Sequence, residues 1–248
     1  MVKRDFVGRY KGSVLGVAWS LFHPVLMLVI YTLVFSVAFK ARWGAGEESK
    51  VAFGLILFSG MIVHGLMAEC LNRAPTLIIG HANYVKKVVF PLEILPWVVL
   101  ISAGLHFLVS LGILIVFCVV GGVSLHPGTL LVPVVLLPLV LITLGLTWLL
   151  ASLGVYLRDL GQGMSIVTTV LLFLSPIFYP IDTLPSRFRT LIDLNPLTLP
   201  ITQLRNAMLW GTPVGWADWA MNMVIGGAVS FAGFWWFQKT RRGFADVL

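Results

Sequence analysis

The chain alternates between long apolar runs and short polar segments. Runs without Asp, Glu, Lys or Arg occupy residues 12–39, 51–68, 94–157, 160–181 and 219–238. A membrane-spanning helix needs about 20 apolar residues, so the run over 94–157 is long enough for two helices. The Gly- and Pro-containing cluster at 121–128 predicts a turn between them. The pattern therefore predicts an all-α integral membrane protein with six transmembrane helices in a single domain, residues 1–248.

The N-terminal residues predict an amphipathic helix that lies in the membrane interface before the first span. Phe6, Tyr10 and Val14 share one helical face, whereas the basic side chain of Arg9 lies off it. A basic face beside an aromatic one is typical of interfacial helices. The apolar run that follows is too long for a secretory signal and lacks a small-residue cleavage site.

A short charged island lies between the second and third spans. Its apolar residues Tyr84, Val88 and Pro91 fall at helical spacing, and Lys86 and Lys87 point elsewhere. This pattern favours a short amphipathic helix that lies against the membrane-embedded body. An ordinary loop with snorkelling lysines fits the same composition, so both interpretations stay open.

Prolines predict where the short helices begin and end. Pro91 disfavours helix in the residue before it, so the island helix should stop near residue 90, and Pro96 then falls in the permitted first turn of the next helix. The apolar segment 194–204 is too short to cross a bilayer. Pro196 and Pro200 should break it into re-entrant half-helices, whose irregular backbone must face protein or water.

Composition excludes several classes of protein. Of 248 residues, 58% are hydrophobic and only 11% are charged, and the mean hydropathy is +0.97. Soluble domains carry about 25% charged residues. The two cysteines, Cys70 and Cys118, lie in apolar runs and are interpreted as packing residues. The net charge of +7 does not indicate nucleic-acid binding, because the basic residues are scattered at the ends of the apolar segments.

The distribution of basic residues predicts orientation. Six spans place both termini on one side, and that side holds eleven of the seventeen Lys and Arg residues. By the positive-inside rule this side is cytoplasmic. The charged island is therefore predicted to be cytoplasmic, and the re-entrant segment external.

The chemical groups argue for a transport subunit rather than an enzyme. No glycine-rich loop ending Gly-Lys-Ser/Thr occurs, so the chain has no ATP-binding motif of its own. The acidic residues fall at or near the predicted span ends, unlike the midplane carboxylates of ion-driven carriers. Glu69 and Arg73 have the spacing of a helix ion pair, or could contact a partner subunit. His23 and His106 are interpreted as packing residues, and no catalytic or metal-binding role is predicted.

Aromatic residues recur along two of the spans. The first span carries five, and the end of the fifth carries three, namely Trp19, Phe22, Tyr31, Phe35, Phe39, Phe173, Phe178 and Tyr179. One interpretation is a lipid-facing surface with an interfacial belt. The other is the wall of a pathway, because aromatic faces stack on the apolar faces of sugar rings without fixing a polymer that must slide.

Six motifs recur in a fixed order along nearly the whole chain. They are the run from Arg4 to Trp19, Asn83 to Pro96, Arg158-Asp159, Ser175-Pro-Ile-Phe-Tyr-Pro180, Asn195-Pro-Leu-Thr with Arg205-Asn206, and Phe244-Ala-Asp-Val-Leu248. Each is weak alone. Together, in this order, the chain resembles the permease subunit of ABC-2-type exporters of polysaccharides and polyol phosphates, a family that exports O antigens, capsular polymers and teichoic acids.

The resemblance implies a homodimer in the bacterial inner membrane, bound to two copies of a cytoplasmic ATPase subunit that carries ATP and Mg²⁺. It implies ATPase coupling through Asn83, Tyr84, Lys86, Lys87, Phe90, Pro91 and Glu93. It implies a polymer path lined by spans one and five of both protomers, and an external gate within residues 182–210 that includes Asn195, Pro196, Leu197, Thr198 and Arg205. The substrate implied is a lipid-linked polysaccharide, with O antigen first and capsular polymer or teichoic acid as alternatives.

Two rival functions predict different features. A membrane-embedded polymerase or ligase would need catalytic carboxylates or a histidine in a large loop, and this chain has no large loop. An ABC-2 permease for drugs or small lipids would share the overall pattern. The motif strings at 175–180 and 195–198 resemble the polymer exporters instead.

Overall fold

The computed structural model describes residues 1, 2, 5, 8, 16–34, 50–86 and 90–248, and within them the chain forms eleven α-helices and no strand. The helices are α1 (Trp19–Tyr31), α2 (Lys50–Leu77), α3 (Ala82–Lys86), α4 (Ile94–Val120), α5 (Val132–Val135), α6 (Leu137–Tyr156), α7 (Leu160–Phe173), α8 (Ser186–Asp193), α9 (Thr198–Arg205), α10 (Trp216–Thr240) and α11 (Phe244–Val247). A π-helical turn, Asn206–Trp210, continues α9 directly.

Four helical regions are long and apolar enough to cross a membrane. They are Val51–Leu77, Ile94–Val120, Pro127–Tyr156 and Trp216–Val247. Two further apolar helices, Trp19–Val34 and Leu160–Phe173, are shorter. The helical membrane class is thus confirmed. The count of six spans stays a prediction, since the first expected span runs beyond the described residues at both ends, and so does most of the expected N-terminal interface helix.

The fifth span is shorter than the sequence predicted. The apolar run continues to residue 181, but α7 ends at Phe173, and its 14 residues rise about 21 Å against a hydrocarbon core of about 30 Å. Pro176 cannot donate a backbone hydrogen bond, and the hydroxyl of Ser175 donates to the Leu171 carbonyl at 2.6 Å. The predicted end of the span at residue 181 was wrong, because the apolar residues continue beyond the point where the helix ends.

The turn between the third and fourth spans lies where the sequence placed it. Helix α4 ends at Val120, and Gly122 adopts a φ of 69°, a conformation that favours glycine. At the other end of α4, Pro96 occupies the first helical turn, as predicted. Helix α2 extends past the predicted end at residue 68 to Leu77.

Helix α2 lies at the centre of the packed body, in contact with α4, α6 and α7, while α10 packs along α6. The α6–α10 contact is close, because a Cβ at Gly233 would meet the backbone of Gly145. Small residues allow such approach between membrane helices. Cys70 and Cys118 are both fully buried, in agreement with a packing role.

Two short helices, α8 and α9, follow α7, as expected for the segment before the last span. Pro196 lies in the break between them, but Pro200 sits in the first turn of α9. The expectation that Pro200 breaks the segment was wrong, because a proline is tolerated in the first turn of a helix. Helix α8 exposes Phe188 and Leu191, at 58% and 55%, as an interfacial helix would.

Candidate functional site

A cavity of about 720 Å³ with a largely apolar wall opens between α1, α2 and α4. Its wall combines aromatic side chains with ionisable ones, among them Trp19, His23, Tyr31, His64, Glu69 and His106. The sequence offered no reason to group the histidines, because they are far apart along the chain. The structure brings three of them to one space, one from each of the three helices.

Glu69 is the centre of an ionic network on the cavity wall. Its Oε2 accepts a hydrogen bond from His106 Nδ1 at 3.0 Å, and its Oε1 lies 3.6 Å from Arg73 Nη1. Arg73 Nη2 also contacts Asp5 Oδ1 at 2.6 Å. The predicted helix pair of Glu69 and Arg73 is present. Helix α2 continues to Leu77, so Glu69 lies within this helix, eight residues before its end.

His64 joins the cavity to α7. Its Nε2 lies 2.9 Å from the carbonyl oxygen of Thr168, which can only accept, so Nε2 carries the proton. About two helical turns further along α2, the amide of Asn72 donates to the Thr168 hydroxyl at 3.3 Å. The contacts fix α7 against α2 at a level where α7 supplies no residue to the cavity wall.

The predicted pathway residues divide into two groups. Trp19 and Tyr31 line the cavity, whereas Phe22 packs edge-on against Trp19 at 5.4 Å and is 50% exposed. Phe35 and Phe39 lie outside the described residues. The three residues at the end of α7 and just after it form a separate cluster: the Phe173 and Phe178 rings are 5.7 Å apart, and the Tyr179 hydroxyl donates to the Phe173 carbonyl.

The predicted coupling island is partly helical. Helix α3 covers Asn83 and Tyr84, and the Tyr84 ring stacks on Phe90, with ring centroids 4.9 Å apart. Asn83 and Pro91 are exposed. Lys87 and the side chain of Lys86 lie outside what the structure describes, and the predicted helix end near residue 90 therefore stays untested.

The C-terminal segment packs against the island and the residue just before α4. Arg241 Nη1 lies 3.0 Å from Glu93 Oε2, just before α4. Phe244 is fully buried against Phe237 and Tyr156, with ring centroids 5.6 and 6.1 Å apart, and α11 contacts α3. The sequence singled out this C-terminal motif but did not predict its contact with the island.

The predicted external residues are mostly buried and bonded to one another. The Asn195 amide donates to the Ser175 hydroxyl at 3.0 Å, and its oxygen accepts the Leu197 N–H at 3.0 Å. Leu197 and Thr198 are buried as well, and the Thr198 hydroxyl donates to the Ile192 carbonyl. Pro196 is half-buried. These contacts fix the turn between α8 and α9 on the end of α7.

Arg205 is 1% exposed and joins the segment 182–210 to α2. Its guanidinium donates to the Ser59 hydroxyl at 3.2 Å and to three backbone carbonyls: Ile56 at 2.9 Å, Pro176 at 2.6 Å and Ile177 at 3.3 Å. Several hydrogen bonds are what a buried charge requires. Sequence reasoning counted Arg205 among external charges and missed its burial, because its acceptors come from distant parts of the chain.

Comparison with known proteins assigns the family. Residues 1–209 match the family described as ABC-2 type transporter, and the chain belongs to this family of membrane transporters. The "O-antigen export system permease protein RfbA" of Klebsiella pneumoniae is 26% identical over 249 residues, which cover 100% of this chain and 93% of that protein. A protein of the same name from Myxococcus xanthus is 28% identical over 204 residues, covering 82% and 76%. The family resemblance in the sequence is confirmed.

Proposed function

We propose that this chain is the permease subunit of an ATP-driven exporter that moves a lipid-linked polysaccharide, an O antigen, out of the cytoplasm across the bacterial inner membrane. The observation that carries the proposal is similarity over the full chain to permeases named for O-antigen export. A cavity wall that mixes aromatic rings with hydrogen-bonding groups supports a sugar polymer as the substrate.

In this proposal ATP and Mg²⁺ bind a separate cytoplasmic ATPase subunit, two copies of which dock on the coupling islands of a permease homodimer. Three features of the island support this role. The island exposes Asn83 and Pro91, and the Tyr84 ring stacks on Phe90 within it. The C-terminal helix α11, which contains the buried Phe244, packs against the island helix α3. A braced element transmits a displacement to α4 better than a free loop, and ATP-driven closure must favour one conformation through such differential contacts.

The proposed route runs beside α1, where Trp19 and Tyr31 face the cavity. Since Phe173, Phe178 and Tyr179 do not line this cavity, the second predicted wall in this proposal is supplied by the other protomer of the homodimer. Weak, repeated stacking suits a polymer that must advance, because a site that binds too tightly would stall it.

Surface polysaccharide on bacteria that lack this gene tests the proposal. The wild-type chain should restore it, and Tyr31→Ala should restore less at equal permease abundance. The matched control is Phe22→Ala on the same helix, because Phe22 does not line the cavity. Full restoration by Tyr31→Ala would reject the assignment of α1 to the path, and failure of the wild-type chain to restore any polymer would reject the proposed function.

A further inference from the structure

An ion pair links the coupling island to the end of α10. Glu93 is the island residue immediately before α4, and its Oε2 lies 3.0 Å from Nη1 of Arg241, which follows the last residue of α10. The backbone carbonyl of Glu93 also accepts the indole N–H of Trp148 on α6 at 3.1 Å. The island therefore contacts α6 and α10 directly, in addition to leading into α4.

Helices α6 and α10 pack so closely that they should move together. There is no room for a Cβ at Gly145 of α6, which would meet the backbone of Val229, or at Gly233 of α10, which would meet the backbone of Gly145. The Tyr156 hydroxyl donates to the Thr240 carbonyl at 3.1 Å and joins the two helices where α10 ends. A close-packed contact of this kind transmits a displacement rather than absorbing it.

The other end of α10 contacts the segment 182–210. Gly215 immediately precedes α10, and its carbonyl accepts a hydrogen bond from the side-chain amide of Gln203 on α9 at 3.1 Å. Gln203 is buried. The 25 residues of α10 rise about 38 Å, which exceeds a hydrocarbon core of about 30 Å. One continuous helix thus connects a contact with the island to a contact with α9.

We infer that Glu93 and Arg241 are positioning residues that pass a displacement of the coupling island to α10, and through α10 to the segment 182–210. This rests on the proposed function and deepens it, because it gives the island a second route into the membrane domain besides α4. The side chains of Glu93 and Arg241 are 27% and 42% exposed. Ion pairs this accessible to water contribute little to stability, so breaking the pair should leave the fold intact.

Charge reversal tests the inference, because reversing the partner as well should undo the effect. Arg241→Glu, Glu93→Arg and the double variant are compared with the wild-type chain in the full-length permease. Surface polysaccharide is measured in cells at equal permease abundance, and ATP hydrolysis is measured on the purified complex with the ATPase. Arg241→Glu should lower export several-fold while the ATPase still co-purifies and hydrolyses ATP. The double variant should recover most of the export.

The matched control is Arg242→Glu, the same substitution one residue further along. Arg242 is exposed, and within the described part of the chain it forms no ion pair. This variant should export as the wild-type chain does. An equal loss in Arg242→Glu would overturn the inference, because the charge at the end of α10 would then matter rather than the pair.

Three further results would overturn the inference: wild-type export by Arg241→Glu, no recovery in the double variant, or a loss of ATP hydrolysis in proportion to export. The last result would show that the pair serves the fold or ATPase binding instead of coupling. If the wild-type chain exports polymer and the double variant does not recover, the inference alone is rejected. If the wild-type chain restores no polymer, the proposed function is rejected and the inference with it.

Discussion

Replacing Gly60 with alanine tests whether Arg205 anchors the segment 182–210 to α2. A Cβ at Gly60 would lie 2.8 Å from Arg205 Nη2 and 3.0 Å from Ile177 Cγ1. The same Nη2 donates to the Ile56 and Ile177 carbonyls. Since Arg205 is almost fully buried, its guanidinium cannot move aside without lengthening these bonds.

The expected cost combines two effects. Overpacking a buried site costs about 1–3 kcal/mol, and a lost hydrogen bond to a charged group costs about 1.5–3 kcal/mol. Alanine recovers up to about 1 kcal/mol of helix propensity over glycine. We therefore expect Gly60→Ala to lower the free energy of unfolding by about 2–4 kcal/mol, measured by titrating the purified protein with SDS in mixed micelles.

The matched control is Gly65→Ala in the same helix, where an added Cβ would meet no atom within 4 Å. It should be neutral or slightly stabilising. A double-mutant cycle with Arg205→Ala then isolates the contact. If Arg205 is the obstacle, Gly60→Ala loses most of its cost in the Arg205→Ala background. Equal costs in both backgrounds would refute the anchoring role.

Three shorter tests concern the ends of the membrane domain. Lys86→Glu combined with Lys87→Glu should reduce co-purification of the ATPase without reducing membrane insertion, and normal co-purification with normal export would make the island a plain loop. A cysteine at Thr190 should react with an impermeant maleimide in intact cells, whereas one at Ala245 should react only after permeabilisation; the opposite result would invert the orientation. Phe244→Ala should lower the free energy of unfolding by about 3–5 kcal/mol in the SDS titration, because it empties a fully buried site; a loss below 1 kcal/mol would show that the segment is not a brace.

The parts of the fold that depend on local composition could be predicted from the sequence. The turn at 121–128, the start of α4 with Pro96 in its first turn and the two short helices before the last span all follow from apolar runs and prolines. The end of α7 could not be predicted in this way. The helix ends at Phe173, just before Ser175 and Pro176, whereas the apolar run continues past them.

The site was less predictable, because its contacts are long-range. His106 and Glu69 are 37 residues apart, and Arg205 and Ser59 are 146 residues apart. A single sequence shows neither pairing. One signal was available: ionisable residues inside otherwise apolar spans are expensive, and His23, His64 and His106 each lie in such a run.

The most direct test of the account is transport by purified components. Liposomes that contain this chain and its ATPase, with the ATPase facing outward, are given lipid-linked O antigen from outside and then a glycosidase. The account predicts that ATP protects the polymer by moving it into the lumen, and that a hydrolysis-deficient ATPase abolishes the protection. If the complex hydrolyses ATP but the glycosidase still digests all of the polymer, the account is contradicted.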